Sequence, residues 1–193
     1  MREVLDQRLG YVRCAIEAVY HRHNVSAILR TCDALGVHHV HLVAAEWVNV
    51  SKGPARGAER WLALHHHPTA ADAIAEIRAA GCRLLVADLA GDAVSPEEVP
   101  LDRPVCLWFG AELVGVSEEA RAAADGVVAL PMRGMAQSLN VSVAAALALR
   151  PVADRARQLG PAALLTPQEH ARTLGAWQER DRALAVGIRQ RAH

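Results

Sequence analysis

No glycine in this chain stands two residues from another, and none is followed by Lys-Ser or Lys-Thr. The dinucleotide-binding fingerprint and the phosphate loop are therefore both excluded. No Gly-x-Ser-x-Gly elbow occurs either, so no serine is presented as a hydrolase nucleophile. The four cysteines, Cys14, Cys32, Cys82 and Cys106, lie far apart inside apolar patterns. Without CxxC spacing they offer neither a zinc cage nor a redox pair, and they are expected as reduced core residues. Every apolar run falls short of the roughly 20 residues needed to cross a bilayer, and Met1-Arg2-Glu3-Val4 does not begin a secretory signal. A cytoplasmic protein is the expectation. Net charge is missing too, since 21 Lys and Arg balance 21 Asp and Glu. That balance hides a gradient: five Arg against three acids in residues 1–30, eight basic against fourteen acidic residues in 31–149, and eight Arg against four acids in 150–193. Basic ends around an acidic middle suit either an anionic partner or solvated arginine-rich helices.

What is present is ample for folding. The 193 residues, 52% of them apolar, suffice for one domain with an ordinary core. Short apolar runs at Tyr11–Ile16, Val40–Ala44, Arg83–Ala87, Val105–Phe109 and Val127–Leu130 read as buried strands. Between them fall helical patterns at Asn24–Leu35, Thr69–Ala80, Ser117–Ala124, Leu139–Leu149 and Pro167 to about Arg189. Strands alternating with helices imply an α/β fold, a mainly parallel sheet covered on both faces. The composition breaks once, at Gly160-Pro161, where a linker is expected to lead into the C-terminal helix.

Three segments have the residue types for chemistry. In Asn24–Val37 the apolar positions Val25, Ile28, Leu29, Cys32 and Leu35 share one helical face, with Asn24 placed to cap the start and Gly36 the end. Arg30 points almost directly away from that face, toward solvent, a substrate or another subunit. The strand at Val105–Phe109 runs into Gly110, Glu112 and Gly115, and ligands bind at strand ends in parallel sheets. Gly110 allows close backbone approach, while Glu112 either braces its loop or accepts hydrogen bonds. Leu130-Pro131-Met132 repeats the situation at the next strand. Beyond Gly134, the polar knot of Gln137, Ser138, Asn140 and Ser142 opens onto Val, Ala and Leu, with no charge between Arg133 and Arg150. A helix apolar around nearly its whole circumference is expected to be buried. Ser138 and Asn140 at its mouth then need partners, because an unpaired buried polar group costs about 1–3 kcal/mol. His65-His66-His67 are adjacent, with no carboxylate or cysteine at a supporting spacing, so no metal site is expected there. A helix-surface charge and a strand-end turn account for Asp33 and Asp88.

Taken in order, the blocks HNVSAILRTCDALGV, LWFGAELVGVSEEA and VVALPMRGMAQSLNVSVAAALAL resemble the three motifs of SPOUT-superfamily RNA 2'-O-ribose methyltransferases, most closely the TrmH-type tRNA guanosine branch. The likeness extends from about Glu17 to Arg150, and its last block is the most specific. It implies a methyltransferase domain over residues 1–150 ending in a deep trefoil knot, followed by a basic helical extension over 151–193 that packs on the domain and touches RNA. It also implies a homodimer joined through the knotted region. S-adenosyl-L-methionine (AdoMet) would lie bent among the knot loops, against Leu89, Gly110, Leu130, Met132, Ser138 and Leu139. No metal is required, because a positive sulfur already makes the methyl group electrophilic.

The resemblance gives the catalytic set as Arg30, Asn24, Glu112, Ser138 and Asn140, and the RNA contacts as Arg22, Arg30, Arg155 and Arg157. Arg30 would act on a ribose 2'-hydroxyl in the partner's pocket. A guanidinium with a pKa above about 12 is a poor base, so its role is read as orienting the ribose or its phosphate and stabilising charge. The implied substrate is the D-loop guanosine of tRNA. Ribosomal RNA, another tRNA position, and a catalytically silent RNA-binding homologue stand as alternatives. Two departures from close relatives bear on substrate choice. Ala18, Tyr20 and His21-Arg22-His23 precede Asn24 where Asn and a Lys-Pro pair are usual, and a single lysine, Lys52, serves the whole chain.

Overall fold

The runs Val37–Val43 and Val105–Phe109 are buried at every position, the pattern of strands covered on both faces. The computed structural model describes residues 1–18, 21–44, 57–89, 92–112 and 114–191, with side chains to residue 183. Tyr20 and Lys52 lie outside them. In chain order the elements are α1 (Arg2–Leu5), β1 (Leu9–Glu17), α2 (Arg22–Leu35), β2 (Val37–Val43), β3 (Ala63–His67), α3 (Ala70–Ala79), β4 (Arg83–Ala87), β5 (Val105–Phe109), α4 (Glu118–Ala123), β6 (Gly126–Val128), α5 (Val141–Arg157) and α6 (Pro167–Arg191).

The six strands form one sheet in the order β3-β2-β1-β5-β4-β6, and its ladders are parallel throughout. The chain steps outward from β1 to β3, then crosses to the other half. The order reverses between β1 and β5. On one face Val12, Cys14, Ile16, Val40, Leu107 and Phe109 meet apolar residues of α2 and α5. On the other, Ala15, Leu84, Val86, Cys106 and Trp108 meet α3 and α4. All four cysteines are buried and free, as their apolar surroundings led us to expect.

Four local expectations are corrected. Asn24 does not cap α2, which starts two residues earlier with His21 as N-cap and no side-chain cap bond. Gly36 does end it, at φ +70°. The edge strand β3, Ala-Leu-His-His-His, carries little β propensity and was not anticipated. Helix α5 does not stop at Leu149; it continues through Pro151 to Arg157 because Val152, Ala153 and Ala156 extend its buried stripe. The expected division at residue 150 thus falls inside a helix. Nor is α5 buried all round: Ala145, Ala148 and Leu149 are inside, whereas Val143 and Leu147 are 46% and 51% exposed.

The C-terminal helix is anchored at its start. Trp177 packs with Leu5 and Leu165, the Leu165 amide donates to the Arg8 carbonyl at 3.1 Å, and the Arg8 guanidinium lies over the Trp177 ring. Arg8 is itself buried and pairs with Asp33, which gives that surface-helix carboxylate a structural partner. Among the described residues no helix is long and apolar enough to cross a membrane.

Candidate active site

Strands β4, β5 and β6 end side by side, and the loops that leave them enclose a cleft of about 450 Å³. Its floor is apolar, from Ala87, Phe109 and Val128 at the strand ends and Val141, Ala144 and Ala148 of α5. Leu89, Gly110, Leu130, Met132, Ser138 and Leu139 all line it, joined by Glu112 and Asn140. The loop after β5 folds back sharply, with Ala111 and Gly115 exchanging backbone hydrogen bonds of 2.9 Å each way. A Cβ at position 110 would sit 2.1 Å from the Gly115 carbonyl oxygen and 2.3 Å from the Val116 nitrogen, so the turn admits only glycine there.

Three of the expected polar residues meet. The Asn24 amide donates to Glu112 Oε1 at 2.6 Å, and the Asn140 amide donates to Asn24 Oδ1 at 3.1 Å. Asn140 Oδ1 accepts from the Ser142 backbone N–H at 2.9 Å and from its hydroxyl at 2.6 Å, which makes Asn140 the N-cap of α5. One relay of amides therefore ties α2, the loop after β5 and the start of α5. The loss of Asn24 as a cap is explained by this tie: its side chain turns to Glu112 instead of its own helix. The mouth is more open than the sequence suggested. Ser138 and Asn140 are exposed rather than buried, and the large apolar side chains of Leu89 and Leu139 are 60% and 37% exposed beside them.

The SpoU rRNA Methylase family matches residues 11–150, most of the chain and all of this cleft. The chain belongs to the SpoU methylase family. It is 41% identical, over 81% of its length and 68% of the relative's, to a tRNA (guanosine(18)-2'-O)-methyltransferase of Escherichia coli. It is 43% identical, over 77% of both, to the protein of the same name from Thermus thermophilus. Its fold superposes on the A. aeolicus TrmH/SpoU tRNA modifying enzyme with a TM-score of 0.83, at 33% identity and 93% coverage of each chain. The SpoU methyltransferase AviRb from Streptomyces viridochromogenes, solved in complex with the cofactor AdoMet, matches with a TM-score of 0.69 at 26% identity, over 79% of this chain and 63% of that one.

In this SpoU methylase Arg30 stands apart from the cleft. It is exposed on α2, in an open groove with Ala27, Thr31, Asp33, Ala34, Ala58 and Trp61. Six residues separate it from Asn24, which at about 100° per residue turns the two side chains to different sides of the helix. Arg22 is exposed at the first turn of the same helix. Arg155 and Arg157, expected on RNA, are engaged within their own chain. Arg155 donates to the Val99 carbonyl at 2.9 Å and Arg157 to the Leu35 carbonyl at 2.6 Å, so both brace the C-terminal half of α5. The strand-terminal floor residues Ala87, Phe109 and Val128 were not singled out from sequence, although their place at the last residues of strands was the available signal. A carboxylate eleven residues away in the chain does reach His65: Glu76 Oε1 of α3 lies 2.6 Å from its Nδ1.

Proposed function

We propose that the protein transfers the methyl group of AdoMet to the ribose 2'-hydroxyl of a guanosine in tRNA, the D-loop guanosine being the favoured target. The cleft built from the second and third motifs, with the first tied to it through the Asn24 amide, carries the reading, and the tRNA-acting relatives at 41% and 43% identity direct it to tRNA. The cleft fits the cofactor. Its volume falls in the range of small-molecule sites, its apolar floor suits an adenine ring, and the glycine at 110 lets the loop wall fold in close. AdoMet, when bound, supplies a methyl group already activated by a positive sulfur.

The remaining work falls to the chain's own groups. Glu112 and Asn140, joined through Asn24, hold the cleft loops in register with α2. Ser138 and Leu139 close the mouth. Arg30, through its guanidinium, orients the ribose or its phosphate and offsets negative charge as the hydroxyl oxygen attacks. The proton leaves to phosphate or water. Since Arg30 lies outside its own chain's cleft, it serves the cleft of a second copy. The exposed apolar residues Val143 and Leu147, four apart on α5, and Leu139 just ahead of its cap form the contact that brings the two copies together. The segment between β6 and α5 threads a deep trefoil knot at that contact. Exposed Arg22 and Arg30 face the RNA, with the helical extension 151–193 alongside, and work on tRNA places the protein in the cytoplasm.

Incubation with labelled AdoMet and unmodified tRNA is expected to give label in a guanosine 2'-O-methyl group. RNA binding without transfer to any cellular RNA would overturn the enzyme reading. Arg30→Ala is expected to lower turnover by about 100-fold or more while AdoMet affinity changes little. Near-normal turnover would remove Arg30 from the mechanism.

A further inference from the structure

The pairing of β2 with β3 sets His41 directly opposite His65, and Val43 opposite His67. Alternation along parallel strands then puts His39, His41, His65 and His67 on one sheet face, under the α3 residue Glu76. The two facing imidazoles stack, with centroids 4.6 Å apart, and Glu76 Oε1 meets His65 Nδ1 at 2.6 Å. One ligand atom from each of His41, His65 and Glu76 can be chosen so that all three lie within 4.8 Å of one another. His41 is wholly buried, yet its Nε2 has no hydrogen-bond partner. Such an orphan is rare inside a protein.

We propose that His41, His65 and Glu76 bind one divalent transition-metal ion of the zinc class, which clamps the edge strand β3 and helix α3 to β2. Two imidazoles and a carboxylate form a donor set that suits zinc. In each ring the other nitrogen is held by a neighbouring imidazole. His41 ligates through the orphaned Nε2 while its Nδ1 is held by His67 Nε2 at 3.0 Å. His65 ligates through the nitrogen that faces Glu76 while its Nε2 is held by His39 Nδ1 at 3.0 Å. These second contacts fix tautomer and ring orientation as the partners of metal-bound histidines do.

Closure needs a modest movement. Bonds of about 2.0–2.1 Å around a tetrahedral ion bring ligand atoms to roughly 3.3 Å, so the imidazole stack must tilt and Glu76 must swing inward. The side chain of Glu76 is 44% exposed and has room to do so. The fourth position falls to water, since His67 Nε2 is taken by His41 Nδ1. Arg13, in register with His39 on β1, opposes a cation; Glu76 and Glu169, the latter 3.3 Å from His39 Nε2, outweigh that single charge. The inference does not rest on the methyl-transfer reading, because none of these residues lines the cleft.

The test uses the full chain prepared without a polyhistidine tag, stripped with a chelator and titrated with cobalt(II) as the probe. One equivalent is expected to bind with the strong visible bands of tetrahedral cobalt, to be displaced by zinc, and to raise the melting temperature. His65→Ala and Glu76→Gln are expected to weaken binding at least tenfold, whereas His66→Ala, at the exposed neighbour, leaves it unchanged. Glu76→Gln retains a hydrogen-bonding side chain at a half-exposed position, and circular dichroism checks that it folds. Weak uptake of several equivalents, or equal loss in His66→Ala and His65→Ala, or full binding by Glu76→Gln, each overturns the site.

Discussion

A methyl group at position 110 has nowhere to go, because the atoms it would strike belong to the backbone of Gly115 and Val116. Gly110→Ala is expected to destabilise the protein by about 1–3 kcal/mol and to weaken AdoMet binding. Thermal melts and calorimetric titration check both, and unchanged affinity would detach this loop from the cofactor site. Asn140 works in two directions, capping α5 and holding Asn24. Asn140→Ala is expected to lose about 1 kcal/mol of stability for the cap and to lower turnover by about 100-fold through the misplaced loops. Equal turnover would leave it a cap alone. At this scale the sequence was legible where a residue's chemistry is unusual for its place, as with a glycine at a strand end or asparagines at a helix mouth. It misled at Asn24, where the signature of a helix cap and that of a cross-loop amide are the same. The pairing of His65 with Glu76 was invisible, since it depends on how α3 packs across β3.

Among the elements, β6 and α3 are joined by a single carboxylate. Asp125 precedes β6, receives the Leu84 amide of β4 at 2.8 Å, and pairs with Arg78 of α3 and with Arg103. Burial alone would raise its pKa, but the Arg78 hydrogen bond, the Leu84 amide and the neighbouring positive charges outweigh it and hold the pKa below the ordinary 3.8. A depressed carboxyl stabilises the fold above the unfolded value and loses that contribution as pH falls through the folded one. Asp125→Asn is therefore expected to melt lower at neutral pH and to show a shallower decline below about pH 4; parallel melting curves for the two proteins at all pH values would contradict this. Strands with unbroken apolar runs were legible because burial on both faces writes itself into composition. The end of α5 was not, because a proline such as Pro151 is a general helix-stop signal and only the tertiary packing of Val152, Ala153 and Ala156 overrides it.

At the scale of the whole molecule, strand order and register join residues far apart in the chain, and no local pattern encodes them. The α/β class was readable; the order β3-β2-β1-β5-β4-β6 was not. The basic ends seen in the sequence make a measurable statement about the assembly with RNA. Affinity is expected to fall steeply between about 50 and 200 mM salt if several phosphates are neutralised, and a flat salt dependence would remove the arginines from the RNA. The proposed sharing of Arg30 between two copies has a genetic consequence. Two inactive proteins, Arg30→Ala and Asn140→Ala, each keep the half that the other has lost. When they are mixed and allowed to exchange subunits, half-and-half dimers rebuild one intact centre, and about a quarter of normal activity is expected to return. A cell carrying both defective genes would then methylate RNA that neither gene alone could mark.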